Sequence, residues 1–161
     1  MAISSDDFKT LLGGWATGVT IVTSRVGEKI HGMTVSAFTE VSLSPPLVLV
    51  CADKSSNTHP VIAESGVFAV NILAADQADL SNRFASKKDE DKRFDGLDVE
   101  TAKTGAPLLP GTVGALDCRV VAAHDAGDHV IYLGEVEEVR VTERVPLLYC
   151  RGSYGVMAAK D

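Results

Sequence analysis

Residues 32–39 read Gly-Met-Thr-Val-Ser-Ala-Phe-Thr, and a short step further on Leu47-Val48-Leu49-Val50-Cys51 is an unbroken apolar run. The first stretch alternates with period two. Met33, Val35 and Ala37 share one face, and Thr34, Ser36 and Phe38 the other. The second has no polar face, as expected of a strand buried on both sides. With only residues 40–46 between them, ending in Ser44-Pro45-Pro46, these segments commit the chain to a β-sheet in which one strand presents hydroxyls. Two hydroxyls and an aromatic on one face suit a polar, planar ligand. On periodicity alone, a solvated face using Thr and Ser for β-propensity is the better account.

The rest of the pattern gives about seven strands and two or three short helices. Ser4-Ser5-Asp6-Asp7 offers N-cap chemistry, and Phe8, Leu11, Leu12 and Trp15 follow at helical spacing, with Gly18 as the stop. Strands are predicted over Val19–Thr23, Ile30–Thr39, Leu47–Ala52 and Val67–Leu73. A short helix fits between Pro60 and Gly66. Another helix starts near Asp76, with Leu80 and Phe84 as its buried pair. Ser86 to Gly114 is polar, charged at Lys87–Arg93 and broken by Gly and Pro; it reads as a long functional or mobile loop outside the core. Ala115–Ala123 and Val130–Val141 form two long strands around a turn at Asp125–Asp128, and Leu147–Cys150 a last short one. Strands that do not alternate with long helices argue against a doubly wound sheet. The fold class is therefore mainly β with peripheral α: a mostly antiparallel barrel, its open end covered by the first helix.

The chain has 161 residues, a size for one domain over 1–161. A net charge of −7 argues against nucleic acid as a partner. No apolar run approaches the roughly 20 residues of a membrane span, and Met1–Asp7 lacks the regions of a signal peptide. Cys51, Cys118 and Cys150 are odd in number, form no CxxC and sit in apolar runs; they read as buried free thiols of a cytoplasmic protein. There is no GxGxxG, P-loop or GxSxG. His124 and His129 with Asp125 and Asp128 do not share a helix face, so no metal site is expected.

One set of segments carries a family resemblance. Ala16–Ser24, Gly32–Thr39, Ser55–Pro60, Gly66–Leu73, Arg83–Lys87, His124–His129 and Pro146–Tyr154, in this order and spacing, resemble the short-chain flavin reductases. These are the reductase partners of two-component flavin-dependent monooxygenases. The resemblance spans about Phe8 to Tyr154. It implies an FMN-binding split β-barrel, usually a homodimer, that passes hydride from NADH to flavin and releases reduced flavin to an oxygenase. FAD in place of FMN and NADPH in place of NADH are the alternatives. No Arg cluster for a 2′-phosphate is recognisable, which favours NADH.

Under the resemblance, Thr34, Val35, Ser36, Ala37 and Phe38 line the ring and ribityl chain. Glu40 and Val41 fall at a second contact, where Glu40 departs from the usual small residue. Ser55, Ser56 and Asn57, just before a predicted helix start, take the flavin phosphate, completed by Ser86 and Lys87. Helix capping accounts nearly as well for Ser55–Thr58 without the family context. His129 contacts the nicotinamide donor, with Arg151, Gly152, Ser153 and Tyr154 as the other donor-binding segment. His124, Trp15 and Tyr132 read as structural, and His59 as a cap or a neighbour of the cofactor. In a flavin enzyme the cofactor carries the chemistry, which fits a chain with no evident base or nucleophile. The rival reading is a flavin-binding carrier or sensor without turnover. A third is a flavin enzyme acting on another substrate, as in related split-barrel oxidases; Gly127-Asp128-His129 favours the reductase.

Overall fold

The computed structural model describes residues 3–158. The ends of the expected 1–161 domain, and the first residues of the Met1–Asp7 reading, lie outside them. Seven strands form one sheet in the order β3-β2-β6-β9-β10-β5-β4, every neighbouring pair antiparallel. They are β2 (Thr20–Val26), β3 (Lys29–Val35), β4 (Phe38–Leu43), β5 (Pro46–Asp53), β6 (Val67–Ile72), β9 (Gly114–Ala126) and β10 (His129–Val141). The edge strands, β3 and β4, are consecutive in the chain, with only Ser36 and Ala37 between them. Three Cα steps of about 3.8 Å join Val35 to Phe38, so the two edges must meet. The sheet curls into a barrel that stays split at this seam, the mainly β split barrel expected from the sequence.

The core fills the curl. Val22, Val35, Val50, Ile62, Phe68, Val70 and Tyr132 are buried together. Close approach fixes some positions: a Cβ on Gly32 would sit 2.9 Å from the Phe84 ring, so only glycine lets helix α3 (Ala78–Ala85) lie against β3. Phe84 is buried as predicted. Helix α2 (His59–Ser65) has Pro60 in its first turn and ends at left-handed Gly66, φ 68°.

Four expectations need correction. The strand expected over Ile30–Thr39 is two strands, broken at Ser36-Ala37, because the chain crosses from one sheet edge to the other there. Helix α1 (Ser5–Gly13) ends before Gly14 rather than at Gly18, and none of its residues is buried. Phe8, Leu11, Leu12 and Trp15 are all exposed, so α1 closes no core. Ser86–Gly114 does contribute to the core: Ala106, Leu108, Leu109 and even Arg93 are buried. Asn71 binds this segment, its amide donating to the Ile21 carbonyl while its Oδ1 accepts from the Leu109 N–H at 2.8 Å. Finally, Cys118 is buried and its thiol pushed up to about 12 by burial, but Cys51 and Cys150 are half-buried.

The turn between β9 and β10 is Gly127-Asp128, with Gly127 at φ 65°. A smaller sheet places β1 (Thr17–Gly18), β11 (Leu148–Cys150) and β12 (Ser153–Gly155) beside the seam. A third pairs β7 (Glu100–Thr101) with β8 (Pro107–Leu108). No helix among the described residues is long and apolar enough to cross a membrane.

Candidate active site

Three clefts converge on Ser36. The largest, about 760 Å³, runs between α1 and the seam and is lined by Phe8, Trp15, Ser36, Phe38, Cys51 and Tyr149 among others. A second, about 300 Å³, lies between the seam and α3, against Thr34, Asn82, Tyr149, Gly152 and Tyr154. The third, about 270 Å³, is bounded by Met33–Ala37, Cys51, Asp53 and His129. The topology explains the convergence: among the described residues the curled sheet is left unladdered at the seam, between its edge strands β3 and β4. Ser36 and Ala37 are exposed. Their carbonyls are taken, by the N–H groups of Phe38 (2.9 Å) and Cys51 (3.0 Å), while neither of their own N–H groups has a backbone acceptor among the described residues. The seam thus presents donors to the clefts.

The hydroxyls of this stretch do different jobs. Thr34 Oγ1 donates to the Ser81 carbonyl at 2.6 Å and ties β3 to α3. Ser36 Oγ has no hydrogen-bond partner among the described residues. Val35 is in the core, so only its backbone reaches the cleft; Phe38 is half-buried. Glu40 and Val41 lie further along β4, are exposed, and line none of the three clefts.

His129 opens β10 opposite Asp53 of β5. Its Nδ1 lies 2.7 Å from Asp128 Oδ1, which leaves Nε2 for another contact. Lys54 holds this corner, bonding the Gly127 carbonyl at 2.7 Å and Asp125 at 2.8 Å. The Asp128 carboxyl is held below its usual range by the His129 hydrogen bond, and Asp53 by hydrogen bonds from Ser55, helped by the charges of His129 and Lys87.

Tyr154 reaches across to α3, its hydroxyl 2.8 Å from Ser81 Oγ and 2.9 Å from Asn82 Oδ1, and packs against Tyr149. Arg151 and Gly152 form the turn between β11 and β12, both at positive φ (50° and 77°). Arg151, Gly152 and Lys9 line a shallow groove at the end of α1. Ser153 is exposed beside them.

Ser55–Asn57 and Ser86–Lys87 are linked through Glu90, and no hydrogen bond among the described residues joins the two groups directly. Asn57 Nδ2 donates to Glu90 Oε2 at 2.8 Å, and Lys87 carries its charge near both Asp53 and Glu90. Ser56 Oγ accepts from the His59 N–H at 3.1 Å and so caps α2. His59 also pairs with the buried Tyr132 hydroxyl at 2.7 Å, a structural role for both. Behind this corner lies Arg93, 5% exposed, donating to the carbonyls of Gly32 (2.8 Å) and Ser86 (2.6 Å).

Sequence reasoning missed Asn82, Cys51, Asp53, Tyr149, Trp15 and Arg93 as neighbours of the site. Trp15, read as structural, is three-quarters exposed in the largest cleft. Asp53 and Cys51 were visible in principle: they end the apolar strand that pairs with the β10 start. Arg93 was not, because a charge run gives no sign that one member turns inward.

With this geometry in place, comparison with known proteins gives the family. Residues 12–158 match the flavin reductase like domain, and the chain belongs to that family. It is 45% identical over 152 residues to the FMN reductase (NADH) SmoA of Agrobacterium fabrum, covering 94% of this chain and 86% of the relative. It is 39% identical over 150 residues to HsaB, the reductase subunit of a flavin-dependent monooxygenase from Mycobacterium tuberculosis, covering 91% and 79%. The solved structure of the NADH:FAD oxidoreductase SgcE6 from Streptomyces globisporus superposes with a TM-score of 0.90 at 35% identity, over 99% of this chain and 98% of that one.

Proposed function

We propose that this chain is an NAD(P)H:flavin oxidoreductase that reduces flavin by hydride transfer and supplies it to a partner monooxygenase. The observation that carries this reading is the seam. Its free N–H groups and the Ser36 hydroxyl face His129 on one side and the Tyr149, Gly152 and Tyr154 wall on the other. A flavin offers acceptors along one ring edge, and the seam offers donors, so the residues present fit the group. When bound, flavin supplies the hydride acceptor, N5, and the nicotinamide donor supplies the hydride.

The protein's own part is binding and orientation. Thr34–Phe38 would form the floor of the site, with Ser36 and Ala37 supplying donors to the ring's polar edge. Ser55, Ser56 and Asn57 with Ser86 and Lys87 take the phosphate end. His129, aligned by Asp128, and Arg151–Tyr154 position the donor. Holding donor carbon and acceptor nitrogen in contact converts an encounter into an oriented unimolecular step. FMN and NADH are the preferred pair, supported by the name of the SmoA relative; the name of SgcE6 keeps FAD in view. The link to an oxygenase rests on HsaB. We further read the chain as a single cytoplasmic domain that forms a homodimer, since Phe8, Leu11 and Leu12 leave α1 with an exposed apolar face.

Steady-state NADH oxidation by purified protein, with and without FMN, FAD or riboflavin, tests the proposal. Consumption that depends on added flavin supports it. Flavin binding without consumption of NADH or NADPH contradicts it and favours the carrier.

A further inference from the structure

The corner assigned to the flavin phosphate already contains an anion. Glu90 Oε2 accepts from Asn57 Nδ2 at 2.8 Å and lies 3.6 Å from His31 Nε2; Glu90 Oε1 lies 3.6 Å from Arg93 Nη2. The Asn57 hydrogen bond comes first among the causes that hold the Glu90 carboxyl below its usual range, and the charges of Arg93, His31 and Lys87 add to it. Arg93 is buried, its Nε has no hydrogen-bond partner among the described residues, and Glu90 is its carboxylate neighbour. His31 is held on its other side by Thr58, Nδ1 to Oγ1 at 2.8 Å. Asn57, Lys87 and Arg93 are the donors and cations that a phosphate at this corner would seek. A carboxylate and a phosphate are both acceptor-only anions competing for them.

We infer that Glu90 is a specificity-determining residue: an internal counter-anion that competes with the flavin phosphate and keeps phosphorylated flavin from being held much more tightly than unphosphorylated flavin. This rests on the phosphate placement proposed above. The chemistry suits a protein that must release its product. With Glu90 in place, an arriving phosphate displaces a carboxylate from Asn57 and meets its repulsion. With Glu90 neutral, the same phosphate gains Asn57 outright and becomes the counter-ion of buried Arg93.

The test compares FMN and riboflavin titrations of wild type, Glu90→Gln and Lys87→Ala. The expected result for Glu90→Gln is FMN affinity tighter on the order of tenfold, the scale of one charge-assisted hydrogen bond, with riboflavin little changed. FMN affinity unchanged, or both flavins weakened alike, overturns the inference. Lys87→Ala separates the two layers. Selective loss of FMN there upholds the phosphate placement whatever Glu90→Gln does; equal loss for both flavins overturns the placement and the inference with it. Should Glu90→Gln fail to fold alone, because Arg93 is left without a counter-charge, FMN must restore the folded signal better than riboflavin. Equal rescue, or none, overturns the inference.

Discussion

The Thr34 hydroxyl donates to the Ser81 carbonyl at 2.6 Å, and two residues on, just past the end of β3, the Ser36 hydroxyl has no hydrogen-bond partner among the described residues. The two residues look equivalent in the alternating pattern, yet one is spent holding α3 and the other is free for a ligand. Thr34→Val should therefore lower stability by about 1 kcal/mol, one net hydrogen bond. Ser36→Ala should leave the melting temperature nearly unchanged and weaken flavin by about 1 kcal/mol. Thermal melts and flavin titrations of both variants read the contrast, and the reverse pattern would contradict this division of labour.

His129 is aligned by Asp128 at 2.7 Å and makes no other ion pair among the described residues. If it positions nicotinamide, His129→Ala costs about one hydrogen bond, roughly 5- to 150-fold in kcat/KM for NADH, with flavin affinity almost unchanged. A general acid would be worth about 10²–10⁴-fold and would leave its ionisation in the rate profile. Lost stability with intact kinetics would make the residue structural.

Arg151 adopts φ 50° in a two-residue turn where glycine is the natural occupant. A non-glycine residue there stores of order 1–3 kcal/mol, and such strain is retained where the side chain has work to do. Arg151→Gly should raise stability by about 1 kcal/mol after the entropy cost of glycine, while raising KM for NADH. A stabilised variant with unchanged NADH kinetics removes Arg151 from the donor site.

Burial, and then the Arg93 charge, hold the His31 pKa below its ordinary 6.5. The unfolded chain therefore takes up a proton near that pH that the folded chain refuses. The stability from neutral His31 is complete above pH 6.5 and is lost as pH falls toward the folded pKa. Asp53, Glu90 and Asp128 also have lowered pKa values, but from ordinary values of 3.8 to 4.5, so they act in a more acid window. Melting temperature should fall as pH drops below 6.5, and His31→Asn should flatten that fall; an identical slope in the variant would contradict it.

What the sequence made legible was local. Pro60 and Gly66 mark a helix because their effects act on their own backbone, and Phe84 declares itself by helical spacing from Leu80. The break at Ser36-Ala37 was hidden, because the alternation of Val35, Ser36, Ala37 and Phe38 runs through it without a Gly or Pro. Only the meeting of two sheet edges, fixed by distant pairings, demands the crossing. Arg93 was hidden for the same kind of reason: its burial depends on the carbonyl of Gly32, 61 positions away. The exposed apolar face of α1 reversed a sound pattern argument, since an apolar stripe says that a face is to be covered but not by what.

The central claim is that flavin is turned over and released at the seam, not merely held there. Adding NADH under argon to a large molar excess of FMN over protein, and following the visible flavin absorbance, tests it most directly. The account predicts that the whole flavin pool bleaches, each protein molecule reducing many flavins. Bleaching that stops at the flavin bound to the protein, or no bleaching at all while FMN binding persists, would contradict it.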